Sequence, residues 1–147
     1  MWNNKLNENI SQSINYVFSN YANAISIEPI IFRHINEIAN IVDNWDAHGA
    51  IKPNISTLSH IKSFLNNLED KYLVKISEDD IFPNPHGTIT IRLQNKKNYL
   101  NIEFGESYAN YYSFINKEIK HKGTKAVLTR YIPYAIKQGI QDIELYK

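Results

Sequence analysis

The chain has 147 residues, 43% of them hydrophobic and 21% charged, with five Gly, five Pro and no Cys, a composition that fits one compact domain whose core can hold it without staples. The lack of cysteine excludes disulfides, thiolate metal sites and a cysteine nucleophile. Sixteen Lys plus Arg against fifteen Asp plus Glu give a net charge of +1, and bases alternate with acids, as in Lys117, Glu118 and Lys120, so the basic stripe of a general nucleic-acid binder is missing.

The first residues carry no apolar run of signal-peptide length, and no stretch approaches the roughly 20 apolar residues of a spanning helix, so a cytoplasmic protein without a membrane partner is expected. Leu6, Ile10, Ile14, Val17 and Tyr21 recur at three and four residues and predict a helix over 6–20. A second helix is expected from Pro29, capped by Ser26, with Ile31, Ile35, Ile38 and Val42 as its buried stripe, Ile30, His34 and Ile41 beside it, and an end near Asp43. Past Pro53, either Asn54 or Ser56 can cap a third helix carrying Leu58, Ile61, Phe64, Leu65 and Leu68 and ending near Asp70.

From Asp80 the pattern changes. Residues 81–87 are an extended, proline-stiffened approach, and Thr88 to Leu93 alternates strictly, as a strand with one buried face does. After a polar turn over Gln94 to Asn98, Tyr99 to Phe104 alternates again, predicting an antiparallel hairpin. Gly105 to Ser107 turns the chain into a third strand, Tyr108 to Asn116, in which alternation sends Tyr112 and Phe114 to one face and Tyr111 to the other. A last helix is expected from Thr124 through Val127, Leu128, Tyr131, Ala135 and Ile136, kinked or moved by Pro133 and stopped at Gly139, with Ile140 to Lys147 as a tail or strand. The expectation is a single α+β domain over 1–147, with N-terminal helices and one C-terminal helix packed on a three- to four-stranded antiparallel meander.

The most distinctive segment is Asn44-Trp45-Asp46-Ala47-His48-Gly49-Ala50. Asp46 could orient His48, and His48 could act as a base near neutral pH; equally, Trp45 could anchor the loop while Asp46 caps backbone amides. Pro83-Asn84-Pro85-His86-Gly87 repeats the His-Gly pair, and if the two loops meet, His48, His86, Asp46 and Glu103 would be available to a divalent metal, although no established metal spacing occurs. His34, His60 and His121, the last in a Lys-rich turn, read as ordinary histidines. No G-x-S-x-G elbow presents a serine, and the dispersed glycines write neither a P-loop nor a dinucleotide fingerprint. Tyr108, Tyr111, Tyr112 and Phe114 form the best candidate recognition surface.

The run from Asn44 to Ala50, Pro53, a helix, and then Pro85-His86-Gly87-Thr88-Ile89-Thr90-Ile91 resembles a family of small uncharacterised bacterial proteins with an N-W-D-G-x-G-A motif, a helix and a P-x-G-x-I strand. The likeness covers Asn44 to Phe104 and departs from the pattern at Ala47, where the family commonly has glycine, and at Arg92 to Leu93, where relatives often place a tryptophan after an acidic residue. It implies an accessory protein of the kind found beside toxin–antitoxin or phage-defence genes, and carries over no catalytic residue.

The expected function is a noncatalytic protein-interaction module, antitoxin-like or defence-associated, binding a protein partner or a second copy of itself through Trp45, Asp46, His48, His86, Tyr111 and Tyr112, with no cofactor. The alternative is a small-ligand binder or hydrolase-like enzyme using Asp46, His48 and His86. Nucleic-acid recognition by exposed tyrosines with Lys96, Lys97, Lys117, Lys120, Lys122 and Lys125 around them lacks the domain charge it needs.

Overall fold

A computed structural model describes residues 30–127 and 131–145. The helix expected over 6–20, the Ser26 and Pro29 start of the next helix, and Leu128 lie outside the described residues. Helix α1 (30–39) buries Ile31, Ile35 and Ile38, the positions its three- and four-residue spacing aligns. It ends sooner than the apolar pattern suggests, which leaves Val42 67% exposed rather than in the stripe. In α2 (Ile55–Asn66), Asn54 is the cap: its side-chain oxygen accepts the Thr57 amide at 2.9 Å, and Ile61, Phe64 and Leu65 turn inward. Two short turns follow, α3 (Asp70–Leu73) and a 3-10 turn (Glu78–Asp80) closed by a capping box between Ser77 and Asp80.

Five strands make one antiparallel sheet, more than the three or four expected: β1 (Ile81–Pro83), β2 (Ile89–Asn95), β3 (Asn98–Phe104), β4 (Tyr108–Ile115) and β5 (Glu118–Val127), lying side by side in chain order. The proline-stiffened approach is thus itself an edge strand, the position that tolerates Pro83. Asn116 and Lys117, both at positive φ, turn β4 straight into β5. Residues expected to open the last helix, Thr124 to Val127, are the end of β5, and α4 (Tyr134–Leu145) begins only after Pro133, whose carbonyl accepts the Ile136 and Lys137 amides. Proline suits that start because its fixed φ is helical and its missing amide is not needed there. Gly139 does not stop the helix. It lies inside α4 where the helix meets Leu100 of β3, and a Cβ there would sit 3.2 Å from the leucine side chain. Ile140 and Ile143, expected in a tail, enter the core with Ile136.

One face of the sheet presents Ile89, Ile91, Leu93, Leu100, Ile102, Phe104 and Ile115 to the described helices. Phe64 of α2 meets Phe104 of β3 with ring centroids 5.2 Å apart. Each such side chain contributes roughly 1.5–3 kcal/mol by leaving water. Polar ties join the same layers: His34 donates to the Ile81 carbonyl at 2.8 Å, His60 to that of Gly105 at 3.2 Å, and His121 of β5 pairs with Asp142 of α4. His121 therefore sits in a strand, opposite Ser113, and not in a turn. No helix among the described residues is long and apolar enough to cross a membrane.

Candidate functional site

The tryptophan loop is wired by its own side chains. Asp46 Oδ1 accepts the amides of His48 at 2.8 Å and Ala50 at 3.0 Å, Asn44 Oδ1 accepts that of Gly49 at 2.8 Å, and Asp43 Oδ1 accepts that of Lys52 at 3.0 Å. These are the short-range bonds through which Asp and Asn compete with regular structure. The His48 amide bond is the main reason the Asp46 carboxyl lies below the ordinary aspartate range. Asp46 thus holds backbone and does not orient the His48 ring, and His48 itself is exposed. Trp45 is half-buried, with its indole Nε1 enclosed and without a hydrogen-bond partner.

The two His-Gly loops do meet, but through backbone: the Ile51 amide donates to the Pro85 carbonyl at 2.8 Å, and Ile51 bridges the exposed His86. Gly87 closes the approach to β2 at φ +79°, a conformation that strains any residue with a Cβ, and a Cβ there would also lie a tight 3.2 Å from the Lys52 carbonyl. Among the described residues no group of three or more His, Asp or Glu could hold a metal ion, so Asp46, His48, His86 and Glu103 do not assemble into one.

The sheet face opposite the helices has a different organisation. Register places Arg92 of β2, Asn101 of β3, Tyr112 of β4 and Lys122 of β5 in one row across four strands. Hydrogen bonds run along it: Arg92 Nε donates to Asn101 Oδ1 at 3.0 Å, and Asn101 Nδ2 donates to the Tyr112 hydroxyl at 2.6 Å. On one side lies a polar row in which Asn84 donates to the Thr88 and Thr90 hydroxyls, and Thr88 donates to Glu103 Oε1 at 2.7 Å. On the other side Tyr99 stacks on Phe114 with centroids 5.4 Å apart and meets Tyr112 edge-on at 6.0 Å. The Arg92 guanidinium lies 5.4 Å from the Tyr99 centroid and 5.8 Å from that of Phe82, held between two rings.

The Arg92 row and the polar row beside it floor a cleft of about 790 Å³, lined among the described residues by the sheet and the approach to it and not by Tyr99 or Phe114. Tyr112 is 39% exposed there. Tyr111, also expected at the site, borders the cleft but packs against the core, its ring over Gly123 on the neighbouring strand. Trp45, Asp46, His48 and His86 do not line the cleft. Arg92 and Asn101 are not among the site residues expected from the sequence, and Lys122 enters there only as one of the lysines around the exposed tyrosines. Their signal is the polar half of each alternating strand, which becomes a row only once the hairpin registers are known. No family model, no curated protein and no solved structure matches the chain.

Proposed function

We propose that the protein is a noncatalytic interaction module that binds a protein partner through the open sheet face. The observation that carries this reading is the aromatic set Tyr99, Tyr112 and Phe114, packed ring against ring on a face that no described helix covers. Tyrosine suits such a surface because it offers a large rigid area and a hydrogen-bonding tip at low entropic cost. The antitoxin-like or defence-associated setting rests on the motif resemblance. The wiring of Asp46 to backbone amides gives no support to a hydrolase-like site around His48 and His86.

The test is affinity capture from source cells with the wild-type chain, a Tyr112→Ala, Phe114→Ser double variant and a His48→Ala variant, each first shown to be folded by circular dichroism. A stoichiometric partner, or a second copy of the chain, should be lost about tenfold or more with the double variant and kept by His48→Ala, since aromatic anchors carry most of the binding at such surfaces. Full recovery of the partner with the folded double variant would sink the reading.

A further inference from the structure

The Arg92 side chain has more donors than partners. Nε donates to Asn101, and the guanidinium carbon lies over the rings of Phe82 and Tyr99, yet among the described residues no carboxylate pairs with it. The neighbouring carboxylates are engaged elsewhere: Glu103 accepts from Thr88, and Asp80 from the Ser77 amide and hydroxyl and from Gln94. Arg92, half-buried, lines the cleft and keeps two terminal amino groups beyond the Nε–H that Asn101 takes. Such a pair matches the two oxygens of a carboxylate end-on.

We infer that the Arg92 end of the cleft is a binding site for a carboxylate, taken by the guanidinium that lies over Phe82 and Tyr99. Among the described residues Arg92 is the one cation at this end of the cleft lining, Lys122 standing at the other, and a single guanidinium suits a monoanion. A phosphate dianion would face the Glu103 carboxylate with too little positive charge to balance it. Lys122 stands three strands from Arg92 in the same row, about 14 Å along the sheet at ~4.8 Å per strand. Tyr112, between them, supplies an apolar ring for whatever carries the acid. The carboxylate can belong to a small aromatic acid or to an acidic side chain of a protein. The inference goes beyond the partner reading, because it concerns the chemistry of one subsite and stands whichever source supplies the acid.

The experiment uses the full chain labelled with 15N and follows the Arg92 Nε–H and the backbone amides of 90–92 and 101–103 during titration. The probes are sodium benzoate and the dipeptide acetyl-Phe-Glu-amide, each against its neutral twin, benzamide and acetyl-Phe-Gln-amide. Saturable shifts should appear with both acids, at least about tenfold tighter than with the twins. Arg92→Gln should abolish that preference while leaving the spectrum folded, and Arg92→Lys should retain part of it. Tighter binding of benzoate identifies a small aromatic acid as the source, and tighter binding of the dipeptide identifies a protein side chain. Equal binding of acid and amide, undiminished benzoate binding by Arg92→Gln, or no shift with any probe at tens of millimolar would overturn the inference. None of these outcomes bears on the captured partner, which is scored on Tyr112 and Phe114.

Discussion

Ala47 stands at φ 62°, in the left-handed region where a Cβ crowds the following carbonyl at a cost of roughly 1–2 kcal/mol. Glycine escapes that cost but gives up about 0.5–1 kcal/mol more conformational freedom on folding. Ala47→Gly should therefore stabilise the protein by a net of about 0.5–1 kcal/mol, measured by urea unfolding at unchanged slope. Its neighbour Asp46 makes the loop sensitive to acid. The His48 amide bond depresses the Asp46 carboxyl, so the loop's stabilisation is present above the ordinary aspartate range and is lost as pH falls through the lowered value. The amide signals of His48 and Ala50 should move together in that acidic window, and Asp46→Asn should remove the transition. The capping role of Asp46 was readable in the sequence, because Asp two and four residues before its amide partners is a local pattern. The positive φ of Ala47 was not, since alanine carries no mark of the conformation imposed on it.

At the scale of elements, β5 shows how an arrangement can be present and yet illegible. Between Ser113 and Phe114 of β4, Lys120 is an extra residue on β5; between Tyr111 and Ala109, Thr124 and Lys125 oppose Asn110 alone. Each bulge shifts the inside-outside alternation by one, so Glu118 to Val127 has no period of two to detect. In β2 and β3 the register is unbroken from Ile89 paired with Phe104 to Asn95 paired with Asn98, and alternation predicts both strands. The same sheet sets Tyr111 directly over Gly123, where an added Cβ would lie 2.4 Å from the ring. Gly123→Ala should push the ring aside and destabilise by about 1–3 kcal/mol, the usual range for overpacking. Tyr111 ring chemical shifts and thermal unfolding would check it, and unchanged shifts would mean that the ring does not rest on the glycine.

For the molecule as a whole, helices on one face of an antiparallel meander followed from the order of the periodic segments, because period 3.6 and period 2 are both strong in this chain. Which face the described helices would leave uncovered did not follow, since both halves of the alternation carry aromatic rings, and only the helix stripes at Ile31, Ile35, Ile61 and Leu65 select the face of Ile91 and Ile102. The strand order also leaves two edges. β1 is three residues long and ends at Pro83, while β5 is bent by two bulges and carries Lys120, Lys122 and Lys125. Short length, proline, bulges and lysine are the devices that keep an exposed ladder from templating another chain. Among the described residues both ends of this sheet are therefore poor templates for strand addition, and what the sheet has to offer another molecule is its side chains rather than its backbone.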